Sequence, residues 1–283
     1  MNSFNFIGGD MRIIYGAKRL GERYDCHTYG LGEQSDIVIE PADFVVLPLP
    51  ATADGMTINA PLNGGESIPL DFIKKAVKPK GTVFAGKSFP LLREYCENNG
   101  FTLIDYFERE ELQIMNAVPT AEGALEIAIR ELPFTINGTA VLITGFGRIA
   151  TVTARYFHAL GATVYVAARR VSDLARIRLL GYIPVSIKDE NRFSEAISSA
   201  ALIINTVPAV VFDKRCIGAM GKNTVFMELA SVMSLADTDM ADKQGVKVIW
   251  ARSLPGKTAP VTAGYVIADT IANIVMERSV RNE

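Results

Sequence analysis

Between residues 140 and 250, short apolar runs alternate with segments of helical period, and this restricts the possible folds more than any other feature of the chain. Ala140 to Thr144, Thr163 to Ala167, Tyr182 to Val185, Leu202 to Asn205, Thr224 to Glu228 and Val246 to Trp250 read as strands. Residues 147–160, 173–180, 193–199, 213–220 and 235–244 read as the helices between them, the second behind Ser172 as a cap. Short apolar strands separated by helices build a parallel sheet through βαβ crossovers, with both faces covered.

The first of these strands runs into Gly145-Phe-Gly147-Arg-Ile-Ala150, a GxGxxA turn that opens a helix. Alone the pattern is weak, but inside a βαβ unit each position has a task. Gly145 permits the tight turn, Gly147 lets the backbone approach a diphosphate, and Ala150 lets the helix lie close to the sheet. Phe146, Arg148 and Ile149 complete a helix start whose N–H groups and dipole favour an anion. The alternative is a plain glycine turn. The second strand ends in Ala167-Ala-Arg169-Arg170, without the acid that binds a ribose 2′-hydroxyl; two guanidinium groups suit a 2′-phosphate, which favours NADP over NAD. Thr206, Val207 and Pro208, and Ser231 beyond Glu228, follow later strands at the carboxyl edge, where they are expected to line the nucleotide path.

The first half repeats the alternation less regularly. Strands are expected at 4–7, 44–47, 82–85 and 101–104, and helices at 12–22, 70–76 and 90–98. Residues 48–69, rich in Pro, Gly and Asn, read as a long loop. Pro119 and Thr120 lead into a connecting helix at 121–131, and residues 262–278 carry Val266, Ile267, Ile271, Ile274 and Val275 at helical spacing. The expectation is an α/β protein of two doubly wound parallel-sheet domains joined by crossing helices around a cleft. Residues 1–118, with 262–283 packed back on them, form a substrate domain; residues 119–261 form a Rossmann dinucleotide-binding domain.

A formal net charge of -2 gives no global positive field for a polyanion, so nucleic acid is not expected as a partner. No apolar run approaches the ~18 residues of a membrane span, and the start does not read as a signal peptide. Cys26, Cys96 and Cys216 form no CxxC pair and no metal cluster, which fits a reducing cytoplasm and core roles. Of the two histidines, His158 reads as a packing residue and His27 as a weak catalytic candidate.

Four segments occur together and in order: Gly8-Gly-Asp-Met-Arg12, Asn116-Ala-Val-Pro-Thr-Ala-Glu-Gly123, the GxGxxA turn, and Leu254-Pro-Gly-Lys-Thr-Ala-Pro-Val-Thr-Ala-Gly264. Over essentially its whole length the chain resembles the A-subunit family of dipicolinate synthase. The resemblance implies a cytoplasmic enzyme of the mother cell in sporulating bacteria. It would oxidise dihydrodipicolinate, or its hydroxylated precursor from the lysine pathway, to dipicolinate with NADP or NAD, alongside a flavoprotein-like B-subunit of the same synthase. A homodimer is a further expectation.

A substrate with two carboxylates asks for cations and hydrogen-bond donors. Arg12 and Lys87-Ser88 follow strands of the first domain, Asn116 and Thr120 sit where the domains join, and Lys257 and Thr258 lie in the loop entering the last helix. Each has a plain alternative as a surface charge or a helix cap. No acid/base pair is evident, so the catalytic residues are left open. A shikimate- or alanine-dehydrogenase-like enzyme and a non-catalytic dinucleotide-binding protein are the competing readings.

Overall fold

The computed structural model describes residues 2–34 and 38–281, so the last two positions of the expected 262–283 segment lie outside the described residues. In chain order the elements are β1 (Ser3–Ile7), α1 (Met11–Gly21), β2 (Asp25–Tyr29), β3 (Ala42–Val46), α2 (Phe72–Ala76), β4 (Val77–Ala85), α3 (Pro90–Asn98), β5 (Thr102–Asp105) and α4 (Glu110–Glu131). They continue with β6 (Ala140–Thr144), α5 (Arg148–Ala159), β7 (Thr163–Ala168), α6 (Val171–Leu179), β8 (Ile183–Ser186), α7 (Glu190–Ser199) and β9 (Leu202–Asn205). The last are α8 (Lys214–Ala219), β10 (Val225–Glu228), α9 (Thr238–Lys243), β11 (Lys247–Trp250), α10 (Leu254–Thr258) and α11 (Pro260–Arg281). The chain divides into two compact units, Met1–Asn116 with Ala259–Glu283, and Ala117–Thr258.

The first unit holds a five-stranded sheet in the order β2-β1-β3-β4-β5, parallel throughout. Its central strands are buried on both faces, as Phe4, Phe6, Val45, Val46 and Phe84 show. Helices α1 and α11 cross at glycine: a Cβ on Gly264 would lie 2.4 Å from the Arg12 carbonyl oxygen, so only glycine allows that approach. Ile267, Ile271 and Ile274 of α11 then bury against Ile13, Ala17 and Leu20 of α1.

The second unit holds a six-stranded parallel sheet in the order β11-β10-β9-β6-β7-β8. The order reverses between β6 and β9, which makes their carboxyl ends the topological switch point where such sheets bind ligands. Ala150, Ala154 and Phe157 of α5 are fully buried among Val141, Ile143 and Val166, so a small residue at 150 does bring helix and sheet together.

Several local expectations are corrected. The Asp25–Tyr29 strand lacks an apolar run because it is a sheet edge, half-buried along most of its length. The connector does not begin after Pro119: α4 runs unbroken from Glu110 with Pro119 inside it. Proline commonly marks a first turn, but here Leu112, Ala117, Ala121, Ala124 and Ala128 bury one stripe of a 22-residue helix, which outweighs one lost donor. Residues 254–258 are the short helix α10 rather than a loop. Helix α6 is not capped by Ser172; Arg170 occupies the cap position and makes no side-chain cap bond. Among the described residues no helix is long and apolar enough to cross a membrane, and no metal-holding group of His, Cys, Asp or Glu occurs.

Candidate functional site

Two glycine-bearing turns join a first strand to a helix, one in each unit, and they differ in openness. In the first unit, Gly8 and Gly9 have φ of 64° and 110°. A Cβ on Gly8 would lie 2.8 Å from the Asn59 carbonyl oxygen, and one on Gly9 2.4 Å from Ile13. Asp10 caps α1 by accepting from the Arg12 N–H. That turn is covered by residues 58–60 and supplied with its own anion.

The turn at the switch point of the second unit is open. Gly145, at φ 97°, needs glycine twice, since a Cβ would also meet Thr206 Oγ1 at 2.4 Å. Gly147 needs it for neither reason: its φ is −93°, and a Cβ there would meet nothing within 4 Å. Gly147 is the N-cap of α5 and offers no side chain to the first helical N–H groups, which no helix carbonyl can take. A bare backbone facing open space at a helix N-terminus is a cradle for a diphosphate, and the residues present fit a dinucleotide. Phe146 packs against the core behind the turn, while Arg148 is exposed and Ile149 half-buried at its rim.

The rest of the edge is firmly built. Thr206 Oγ1 donates to the Thr144 carbonyl oxygen at 2.8 Å, and Asn205 grips Val207 from both sides, donating to its carbonyl oxygen at 2.8 Å and accepting its N–H at 3.1 Å. Pro208 and Ser231 are exposed at the same edge. Trp250 Nε1 donates to the Ala230 carbonyl oxygen at 3.2 Å, and Arg252 stacks 3.4 Å from the Trp250 ring centroid. A cavity of about 160 Å³ beside Val211 is lined by Ile187, Phe193, Asp213 and Cys216 among others.

The two arginines after β7 are not equivalent. Arg170 Nε donates to Asp173 Oδ2 at 2.7 Å, so its fork is tied back to α6. Arg169 is exposed and makes no ion pair among the described residues.

The substrate candidates are divided between the two units. Arg12 is 8% exposed; its Nε and Nη2 donate to Asp10 at 2.8–3.1 Å, and Nη2 also reaches the Leu49 carbonyl oxygen at 2.5 Å. The fork face expected for a substrate carboxylate is therefore taken by the chain's own Asp10, and Arg12 acts as a clamp between two loops. Lys87 and Ser88 sit in a fixed turn, their N–H groups donating to the two Asp105 oxygens at 3.0 and 2.7 Å. Lys87 is exposed, and Ser88 Oγ is a buried oxygen without a partner. Asn116 and Thr120 stand one turn apart inside α4, so neither caps it, and the boundary between the two units falls directly after Asn116. Thr258 packs against α4: a Cβ on Gly123 would lie 2.6 Å from its Oγ1, which also lies 3.4 Å from Glu126 Oε2. That contact assigns Thr258 to helix packing, while Lys257 is exposed on α10.

No activated nucleophile emerges from the thiols. Burial raises all three, Cys26 to about 12 and Cys96 and Cys216 to about 11, so none is a thiolate at neutral pH. His158 packs its ring edge-on to Tyr182 at 5.3 Å, and His27 Nε2 lies 3.4 Å from Asp25 Oδ1 on the sheet edge. The group that residue-by-residue reading missed is Glu228 and Asn205, at the ends of β10 and β9, with Ser234 from the loop after β10, all fully buried. Polar residues closing two adjacent apolar strands were the available signal.

Fold and turn together define an α/β protein of the Rossmann type, with a glycine turn at the switch point of its second parallel sheet. The transhydrogenase from Sinorhizobium meliloti shares the fold at TM-score 0.65 and 13% identity, over 96% of this chain and 92% of that one. Residues 3–107 match the family of the N-terminal domain of the dipicolinate synthase A-subunit. The crystal structure of the dipicolinate synthase A-subunit from Bacillus halodurans matches at TM-score 0.85 and 30% identity, over 96% of this chain and 97% of that one. The A-subunit of dipicolinate synthase from Bacillus subtilis strain 168 is 29% identical over 284 residues, 96% of this chain and 95% of its own. This chain belongs to the dipicolinate synthase A-subunit family.

Proposed function

We propose that the chain is the oxidoreductase component of a dipicolinate synthase, oxidising dihydrodipicolinate to dipicolinate with NADP⁺. The observation that carries the dinucleotide half is Gly147, a residue whose missing side chain nothing in the protein's own backbone or packing requires. The substrate half rests on family membership and on Ser88 Oγ, a buried oxygen still lacking a partner, beside Lys87 at the carboxyl edge of the first sheet.

In this reading the N–H groups of residues 145–149 hold the diphosphate, and Arg169 meets the ribose 2′-phosphate. Thr206, Val207, Pro208 and Ser231 line the path of the nicotinamide half. Lys87 and Ser88 take a substrate carboxylate. The ring loses a hydride from carbon and a proton to water, and becomes an aromatic pyridine. When bound, the oxidised nicotinamide supplies the hydride acceptor. Aromatisation supplies driving force, so the protein's work is orientation rather than strong base catalysis. That accords with an edge built of hydrogen-bonded loops rather than a histidine–acid pair. A second subunit, implied by the family name, is the proposed partner.

The test is an absorbance assay for reduced nicotinamide with freshly prepared dihydrodipicolinate, run with NADP⁺ and NAD⁺, with and without the partner protein. Substrate-dependent NADP⁺ reduction in either arm is expected. No reduction of either nucleotide in both arms, by a chain that binds nucleotide, would refute the reaction.

A further inference from the structure

The carboxyl edge of the second sheet holds a charged group that the proposed reaction does not use. Glu228 has no solvent exposure and makes no ion pair among the described residues. Its Oε1 accepts from Asn205 Nδ2 at 2.7 Å and the Ala230 N–H at 2.9 Å. Its Oε2 accepts from the Ser234 N–H at 2.8 Å and Ser234 Oγ at 2.5 Å. Three N–H donors and the Ser234 hydroxyl converge on its two oxygens, a donor-rich setting that suits an acceptor-only carboxylate. Asn205 Oδ1 accepts in turn from Thr144 Oγ1 at 2.5 Å. The charge is thus wired into the ends of β6, β9 and β10. A buried carboxylate without a cation is costly to retain. A polar network that merely joined loops would not need the charge.

Topology fixes which half of a dinucleotide faces it. With the diphosphate at the turn between β6 and α5, one nucleoside half extends over β7, where Arg169 lies. The other extends over β9 and β10, where Asn205 and Glu228 end. That second half carries the nicotinamide, because the arginine side suits the 2′-phosphate of the adenosine half. The oxidised ring bears a positive charge that the reduced ring lacks.

We infer that Glu228 biases this site toward the oxidised dinucleotide, its buried charge favouring the cationic ring while its hydrogen bonds fix the loops on which the ring rests. The inference builds on the dinucleotide reading above. It makes Glu228 a positioning residue that also selects redox state, suited to an enzyme that must load its oxidant.

Calorimetric Kd values for NADP⁺ and NADPH test it, on wild type, Glu228→Gln and Glu228→Asp. A unit charge acting over on the order of 10 Å through a partly screened interior gives about a tenfold effect on the ratio of the two Kd values. Glu228→Gln is expected to raise the NADP⁺/NADPH Kd ratio by about that factor, and Glu228→Asp to leave it near wild type. A ratio unmoved in folded Glu228→Gln, with both forms weakened equally, would reduce Glu228 to a structural role and overturn the inference. If circular dichroism shows that Glu228→Gln does not fold, the wild-type pair decides. NADP⁺ bound at least as tightly as NADPH supports the inference, and tighter NADPH overturns it. A wild-type chain that binds neither form defeats the underlying dinucleotide reading, an outcome distinct from an unmoved ratio.

Discussion

Replacing each glycine of the switch-point turn by alanine separates what the fold needs from what a ligand needs. Gly145→Ala puts a Cβ on a residue at φ 97°, at a cost of about 1–2 kcal/mol for an L-residue in the left-handed region. The new methyl would also sit 2.4 Å from Thr206 Oγ1 and 3.1 Å from Val207 Cγ2. Moving Thr206 breaks its 2.8 Å bond to the Thr144 carbonyl oxygen, worth about 1 kcal/mol. The restricted unfolded chain returns roughly 0.4–1 kcal/mol, leaving a net loss of about 2 kcal/mol. Gly147→Ala meets no atom within 4 Å and keeps an ordinary φ of −93°. A small loss of N-cap preference is offset by the same unfolded-state gain, so its stability stays within about 0.5 kcal/mol of wild type. Its methyl occupies the space of the diphosphate, so NADP⁺ affinity falls at least about tenfold, or ~1.4 kcal/mol. Urea unfolding of the second unit and calorimetric titration measure the two quantities. If Gly147→Ala destabilised the fold as much as Gly145→Ala, or bound NADP⁺ like wild type, the division of labour between the glycines would be wrong.

Arg169→Ala should weaken NADP⁺ by at least about tenfold and leave NAD⁺ nearly unchanged, since a charge-assisted bond to phosphate is worth about 1.5–3 kcal/mol. Arg170→Ala should do less, because Asp173 already holds that side chain; equal effects in a competition titration would overturn the distinction. Ser234→Ala removes a buried donor to Glu228 and should cost about 1–3 kcal/mol in urea unfolding. The Cys216 N–H, bonded to Asp213 at the start of α8, holds that carboxyl below its usual pKa. The stabilisation is therefore present above the unfolded pKa and lost as pH falls through the folded one. Asp213→Asn should flatten the acid limb of stability below about pH 4, and an unaltered limb would dismiss the cap's contribution. Cys216, raised to about 11, should react slowly with iodoacetamide at neutral pH and faster as pH approaches that value; brisk neutral labelling of the folded chain would contradict it.

The second sheet was legible because parallel strands buried on both faces must be apolar runs, and Ala140 to Thr144 or Leu202 to Asn205 cannot be much else. Asp25–Tyr29 gave only a weak strand signal around His27, since its Asp-Cys-His-Thr-Tyr run is half-buried at a sheet edge and carries no aliphatic residue. Pro119 misled for a physical reason: proline prefers a first turn, and only tertiary burial of the flanking stripe reveals a continuous helix. At the candidate site, the positions of the glycine turn after β6 and of Arg169 after β7 could be read from spacing. Arg12 could not, because its sequence neighbour Asp10 turned out to be its partner. The Glu228 network gathers Thr144 and Asn205 from the ends of β6 and β9 and Ser234 from the loop after β10, and no local pattern encodes that convergence.

Crystallisation with NADP⁺ puts the account to its most direct trial. The diphosphate is predicted to lie against the backbone of residues 145–149, with the 2′-phosphate at Arg169 and the nicotinamide above the ends of β9 and β10. Nucleotide density elsewhere on the chain, or a bare turn at saturating NADP⁺, would contradict it.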